Sequence, residues 1–361
     1  MPTLPQRNLL TAQAIAYLSE EIRGGQWGNW LPSERKLAQD LQISRNTVRA
    51  ALAHLQHEGW VAPEHGAGNR IIAAQRPPGP AAVSHDIAFI CPQPLERLRP
   101  HVTLWIDELR ALLSERGCRV RLFHGTQYFR GSAGPALAKL TKQQPHGCWV
   151  LMLSSEAIQR WFARSGLPCV IAGSCHEGVN IPCVDLDHRA MCRHAAGVLL
   201  GLGHRRMAFL HSQVDRAGDR ESAAGFLEAA QHPSHSDVEP TVITHDDTTE
   251  GVGRVVRRLV ALKHRPTALL VANPYCFLTV TTTLTHLGLK VPQDMSVLSR
   301  DDDPFLSFLV PKPSRYAASA EVFARNMLRS ILAVLKTGDK IRPVVRTMPD
   351  FIRGESLCSP S

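Results

Sequence analysis

The chain has 361 residues, 44% hydrophobic and 20% charged, with a formal net charge of +9. That length predicts two or three domains with ample material for a core, and the composition excludes a disordered or collagen-like chain. No apolar run approaches the ~18 residues of a membrane span, so no membrane partner is expected. Nine cysteines, an odd number, and an opening MPTLPQRNLL without a secretory pattern predict reduced thiols in a cytoplasmic protein. The positive balance suits a polyanionic partner. The first 76 residues, however, hold eight Lys/Arg against six Asp/Glu, so placement of charge matters more than its total.

Helical spacing of Ile15, Leu18 and Ile22 predicts a first helix over 9–24, with those residues in a core. A second helix starts after Pro32, with Ser33 as N-cap and Leu37, Ala38 and Leu41 on one face. Gln42 and Ile43 make a tight turn. Ser44 then caps a third helix whose buried face is Val48, Ala51, Leu52 and Leu55. Left outside at its start are Arg45, Asn46, Thr47 and Arg49. Such a set suits major-groove readout: arginine pairs with guanine, asparagine with adenine, and threonine touches the thymine methyl. A helix N-terminus also favours a phosphate.

Residues 73–84, AAQRPPGPAAVS, with three prolines and a glycine, predict an exposed linker, taken as 73–85. From Asp86 short apolar strands alternate with amphipathic helices. Strands are predicted at 87–91, 119–123, 147–153, 168–172, 207–210, 241–243, 268–272 and 295–298. Helices are predicted at 103–117, 136–142, 157–166, 189–203, 220–230, 251–262 and 278–287. This is the pattern of parallel sheets with helices on both faces, in two successive halves with a cleft between them. Ligands in such sheets bind at the carboxyl ends of the strands. Cys169, Cys175, Cys183 and Cys192 lie near His176, His188 and His194 in sequence. Their spacing lacks a tight metal-ligand pair, so no metal and no cofactor is expected.

The segment 9–72 resembles the winged helix-turn-helix of the GntR family of bacterial transcription regulators. The resemblance rests on Leu31, Pro32, Ser33, Glu34 and Arg35, then Leu37 and Ala38, then Ser44 to Arg49, then Leu55, Glu58 and Gly59. It implies DNA contacts by Arg35, Arg45, Thr47 and Arg49. It also implies a wing over 61–72 whose tip, with His65, Gly66 and Gly68, enters the minor groove. With Asn46 and the capping hydroxyls of Ser33 and Ser44, these residues form the expected DNA-binding set. The stretch GQWGNW at 25–30 departs from the family and is expected to alter only the loop before the second helix.

Residues 86–357 resemble the effector domain of lactose-repressor and galactose-repressor regulators, related in fold to periplasmic sugar-binding proteins. The carrying words are Val184 to Asp187, Gly201 to Phe209, Gly225 and Phe226, Pro266 to Asn273, Leu287 to Pro292, Asp301 and Asp302, and a closing strand at 352–356. The resemblance implies three crossings between two lobes, with lobe one at 86–185 and 313–340 and lobe two at 187–312 and 341–357. It places Asn273 and Asp301 among the effector-binding residues, where an aspartate can accept from two vicinal hydroxyls. Where the family often has an arginine, this chain has Ser222, and Arg220 is the candidate substitute. His101 stands where an aromatic is usual, and Ser299 and Arg300 replace a common Gly-Phe. These departures weaken the case for a simple monosaccharide.

The resulting expectation is a multidomain protein: an α+β winged helix-turn-helix at 1–72, an α/β two-lobed periplasmic-binding-protein-like body at 86–357, and a tail at 358–361. It is expected to act as a non-enzymatic transcription regulator, a repressor released by a small polar, sugar-like effector. Its partners would be double-stranded DNA with two half-sites and a second copy in a homodimer. A body that has lost its ligand is one alternative. An aminotransferase body using pyridoxal phosphate, as found fused to some GntR-type heads, is the remote one.

Overall fold

The computed structural model describes residues 8–23, 27–41, 43–64, 68–72, 86–231, 236–337 and 344–360. The chain divides into two units, Met1–Ala82 and Val83–Ser361. The expected linker at 73–85 lies outside the described residues, as do Gln42 of the expected turn and wing-tip residues His65 and Gly66.

In the first unit α1 (Asn8–Arg23), α2 (Glu34–Asp40) and α3 (Arg45–His57) surround one core. Ser33 Oγ accepts from the Lys36 N–H at 3.3 Å, and Ser44 Oγ from the Thr47 N–H at 3.1 Å. Each helix therefore starts where a hydroxyl satisfies a free donor. Leu18, Leu37, Val48, Ala51, Leu52 and Leu55 are buried together. The wing is an antiparallel pair, β1 (Val61–Glu64) and β2 (Gly68–Ile71), with Glu64 opposite Gly68. Gly68 has φ +103, which suits glycine alone. The GQWGNW stretch does more than alter a loop. Ile71 N–H donates to Asn29 O at 2.9 Å, Leu31 N–H donates to Asn69 O at 3.0 Å, and Trp30 bridges Arg70. It thus adds a third, short edge to the wing.

The second unit holds two six-stranded sheets. The first contains β3 (Ile87–Cys91), β4 (Val120–His124), β5 (Cys148–Met152), β6 (Cys169–Ala172), β7 (Cys183–Leu186) and β13 (Val344–Thr347), all parallel, in the order β13-β7-β6-β5-β3-β4. β3 and β5 are buried along their whole length, which is why their sequences are unbroken apolar runs. The second contains β8 (Arg206–Ser212), β9 (Glu239–His245), β10 (Ala268–Val271), β11 (Ser296–Ser299), β12 (Ser314–Ala317) and β14 (Asp350–Ile352), in the order β14-β12-β11-β10-β8-β9. Only β14 runs antiparallel. Helices α4 (Pro100–Ser114), α5 (Gly134–Gln143), α6 (Glu156–Ser165) and α11 (Ala320–Thr337) belong to lobe one. Helices α7 (His188–Gly201), α8 (Ala217–Ala230), α9 (Thr249–Val260) and α10 (Pro274–His286) belong to lobe two. No described helix is long and apolar enough to cross a membrane.

The chain passes between the sheets three times, but two passages differ from the expected bounds. β12 pairs with β11 and β14, so 313–317 belongs to lobe two; β13 pairs with β7, so lobe one extends to Thr347. The four-residue strands SRYA and VVRT are too short and too polar to reveal a period. The expected closing strand at 352–356 ends at Ile352 instead. Beyond it the chain lies against the sheet through single bonds: Glu355 N–H to Lys312 O at 2.7 Å and Val297 N–H to Ser356 O at 2.9 Å. A Cβ on Gly354 would sit 2.3 Å from Lys312 O, so only glycine permits that approach.

His204 clamps this closing segment. Its Nε2 lies 2.9 Å from the Cys358 carbonyl and its Nδ1 2.8 Å from Thr267 Oγ1. A carbonyl only accepts, so Nε2 carries the proton. Burial holds His204 below the usual histidine pKa, and the same cause comes first for His101, His146, His176 and His245. In all five the folded pKa is depressed, so the unfolded chain binds more protons once pH falls below its own histidine pKa of ~6.5. Stability is then complete above that value and lost as pH falls. The midpoint of thermal unfolding should hold steady from about pH 8 to 7 and fall between about pH 6.5 and 5. A flat midpoint through that window would mean these imidazoles are solvated in the native state.

Candidate DNA interface and candidate effector cleft

The first turn of α3 turns Arg45 and Asn46 to solvent, opposite its buried face. Neither side chain, nor exposed Arg35, has a hydrogen-bond or ion-pair partner among the described residues. Thr47 is half-buried, with its hydroxyl 2.8 Å from Ser44 Oγ, so it reinforces the cap. Arg49 Nε donates to Glu34 Oε2 at 2.9 Å, with side-chain exposures of 58% and 33%. An ion pair this exposed contributes at most about 1 kcal/mol and is screened by salt, so a phosphate can replace the carboxylate. Gly68 opens β2, and across the wing Arg70 Nε lies 3.2 Å from Glu64.

In the second unit a cavity of about 180 Å³ lies between the lobes. Its walls are the segments that follow β3, β5, β6, β7, β8, β11 and β12, the carboxyl ends of strands in both sheets. Of the four effector-site expectations, the structure brings His101 and Asp301 to this cavity. Asn273 instead caps α10, accepting from the Tyr275 N–H at 3.0 Å. Arg220 is exposed and held by Asp215, with Nε 2.6 Å from Oδ1, and does not line the cavity. Its guanidinium is tethered to Asp215, five residues away, and does not reach the cavity beside Ser222.

Arg300 supplies the guanidinium. It is only 8% exposed. Its Nη1 donates to Asp219 Oδ1 at 2.6 Å and to Ser222 Oγ at 3.0 Å, and its Nε donates to Asp301 Oδ1 at 3.0 Å. Two departures from the family pattern, at 222 and 300, thus meet in one hydrogen bond. Sequence reasoning noted both but not their contact, since 78 residues separate them. Asp301 Oδ2 accepts in addition from Arg99 Nη1 at 2.9 Å, a bond from lobe one to lobe two. Burial alone would raise the Asp301 pKa, but Arg300 and then Arg99 hold its carboxyl far below the usual range. Both carboxylate oxygens are engaged, so Asp301 is not free for a vicinal diol while Arg99 stays in place.

Asp185, in β7, accepts from Ser174 Oγ at 2.6 Å and from the Leu186 N–H at 2.8 Å, and lies 3.3 Å from His188 Nε2. Burial pushes its pKa up, but His188 and Ser174 bring it below the ordinary value. The Nδ1 of His188 is buried without a partner. Asp302 accepts from Arg315 Nε at 2.6 Å. Trp105, one turn beyond His101 on α4, and Phe323 of α11 give the cavity its aromatic wall, 5.0 Å apart. The i, i+4 spacing from His101 was the available signal for Trp105.

Of the four cysteines at 169–192, Cys192 is buried in α7 of lobe two; Cys169, Cys175 and Cys183 lie in lobe one, where the Cys175 and Cys183 thiols are hydrogen-bonded. Among the described residues, three potential ligands approach one another at His245, Asp247 and Cys276, and at Glu156, His176 and Asp215.

Residues 10–71 match the family of bacterial regulatory proteins of gntR type, and residues 196–357 match the periplasmic binding protein-like domain. The chain is similar to the arabinose metabolism transcriptional repressor of Geobacillus stearothermophilus, 26% identical over 288 residues and 76% of each chain. It is also similar to the HTH-type transcriptional regulator GntR of Pseudomonas aeruginosa, 25% identical over 264 residues, 73% of this chain and 75% of that one. Among solved structures, the transcriptional regulator CelR–cellobiose complex shares the fold with a TM-score of 0.66 at 20% identity, covering 90% of this chain and 100% of that one.

Because Arg300 is the ion-pair partner of buried Asp219 and one of two for Asp301, Arg300→Met should strand Asp219 and leave Asp301 to Arg99 alone. Chemical denaturation should show a loss of about 3–5 kcal/mol, the usual cost of removing one partner of a buried ion pair. A loss under about 1 kcal/mol would place this network in solvent.

Proposed function

The chain joins a GntR-type helix-turn-helix domain to a periplasmic-binding-protein-like domain, with relatives among GntR- and LacI-type transcriptional regulators, and we propose that it is a DNA-binding repressor controlled by a small polar effector. The observation that carries the DNA half is the start of α3, where Arg45 and Asn46 stand exposed and unpartnered on a helix whose other face is buried. Arg35, Thr47 and Arg49 flank them, Ser33 and Ser44 offer capped helix starts to phosphates, and the wing with His65, Gly66 and Gly68 reaches the neighbouring groove. Two such heads in a homodimer read a two-fold symmetric site.

The cleft supports the sensing half, because charged side chains from both lobes converge on it. An effector that prefers one lobe arrangement shifts the balance between arrangements, and a coupling of about 1–3 kcal/mol changes operator affinity roughly 5–150-fold. In this reading effector binding releases the repressor from DNA. A ligand-independent regulator is the second reading, favoured by the direct bond from Arg99 to Asp301 that joins the lobes. No lysine lines the described cleft, which leaves a pyridoxal phosphate reading without its Schiff-base amine.

Selection of genomic fragments by the purified full chain, at stated salt, tests the DNA half. A two-fold symmetric consensus is the expected result; weak binding of every sequence that vanishes with salt would overturn it. On the selected site Arg45→Ala and Arg49→Ala should each weaken binding by about 1–3 kcal/mol. Unchanged affinity in both would remove α3 from base readout.

A further inference from the structure

The carboxylates that line the cleft all have partners. Asp219 and Asp301 hold Arg300, Asp302 holds Arg315, and Asp185 is held by Ser174 and His188. The cations are not matched in the same way. Arg99 shares Asp301 with Arg300. Arg216 is half-buried in the cleft wall, and its guanidinium has no hydrogen-bond or ion-pair partner among the described residues. A guanidinium partly withdrawn from water without a counter-charge is electrostatically incomplete.

The backbone around these two arginines adds to the imbalance. Arg216 immediately precedes α8 (14 residues) and Arg99 immediately precedes α4 (15 residues); neither helix has a side-chain cap. First-turn residues of both helices line the cleft, Gly218 from lobe two and His101 from lobe one. Both starts present a positive dipole end to whatever fills that space, with Ala217 and Gly218 N–H left free in α8 and His101 N–H in α4, whose Pro100 has none. The two cations line the same cavity, one from each lobe.

Resting on the reading of this cleft as an effector site, we propose that the effector is an anion, a carboxylate or phosphate on a polyhydroxy body, gripped between Arg99 of lobe one and Arg216 of lobe two. The anion takes Arg99 from Asp301 and gives Arg216 its missing counter-charge. Asp301 keeps Arg300 throughout, so the exchange leaves no bare buried carboxylate. Its Oδ2, still accepting from Arg300 Nη2, then has the acceptor position left by Arg99 for a hydroxyl of the polyhydroxy body.

Isothermal titration calorimetry on the full chain tests this with sugar acids such as D-gluconate, sugar phosphates such as D-glucose 6-phosphate, their neutral parents, and inorganic phosphate. At least one charged class should bind, its neutral parent should bind about tenfold more weakly or worse, and salt should weaken the binding. The two charged classes separate a carboxylate from a phosphate requirement. Arg216→Gln should weaken the charged probe about tenfold or more, with Arg216→Lys recovering part of it. Because Arg216 has no partner, its replacement should leave the thermal midpoint of the free chain unchanged. Neutral parents that bind as tightly as their charged counterparts, or charged probes indifferent to Arg216→Gln, overturn the anion assignment and leave the effector cleft standing. No binding by any charged or neutral member at millimolar concentration counts against both.

Discussion

A guanidinium withdrawn from water must be neutralised where it lies, and the second unit is arranged around that requirement at Arg300. Two carboxylates and a hydroxyl surround it: Asp219 and Ser222 from α8, Asp301 from the end of β11. The Ser222 hydroxyl also donates to Gly218 O at 2.8 Å, which ties the guanidinium to the first turn of the same helix. Desolvating such a group costs several kcal/mol, and the attraction repays it only while every partner is in place. The start of α8 and the end of β11 are thereby fixed relative to one another. Everything else that lines lobe two's side of the cleft is positioned from that junction.

The network has one loose end, and it points across the cleft. Asp301 is already compensated by Arg300, so the bond from Arg99 is an addition to a satisfied carboxylate rather than its sole support. Removing Arg99 leaves no orphaned charge in lobe two. It does leave a cation in lobe one, which must find water or another anion. The junction within a lobe is therefore costly to open and the junction between lobes is cheap. That is the distribution of strengths a hinged two-lobed body needs if a ligand is to change its closure.

How much of this was legible in the sequence divides along the range of the interactions. The head is built from short-range bonds: Ser33 to Lys36 and Ser44 to Thr47 each span three residues, and the buried face of α3 repeats with the helical period. Motif words in the body were equally readable because they encode packing. A Cβ on Gly225 would sit 2.0 Å from Arg189 O in α7, Phe226 is fully buried, and His204 pins the closing segment. What could not be read was the pairing of charges. Nothing local distinguishes Arg220, tethered on the surface five residues from Asp215, from Arg300, buried against α8, or Arg216, facing the cleft without a partner. Charged side chains have no periodicity that reports their partner; only the crossing of strands from distant parts of the chain decides it. The same limit hid β7, β12 and β13, four-residue strands whose place is set by neighbours and not by composition.

Both units hold an arginine with a carboxylate, and burial decides what each can do. Arg49 with Glu34 is exposed, so the pair adds little to stability but fixes the direction of a long side chain beside the start of α3. A DNA phosphate can displace that carboxylate at little cost, because it too is a charge-assisted, bidentate acceptor for a guanidinium. Arg300 with Asp219 and Asp301 is buried, and no ligand entering the cleft could displace it without stranding Asp219. Arg99 lies between these limits, with a side-chain exposure of 28% against a nearly buried Asp301. Half-exposed pairs are strong enough to set a resting geometry and weak enough to exchange. It follows that the residues able to report a ligand are the partly exposed ones at the rim of the network. The fully buried arginine, the most conspicuous charge in the cleft, serves as the fixed reference against which they move.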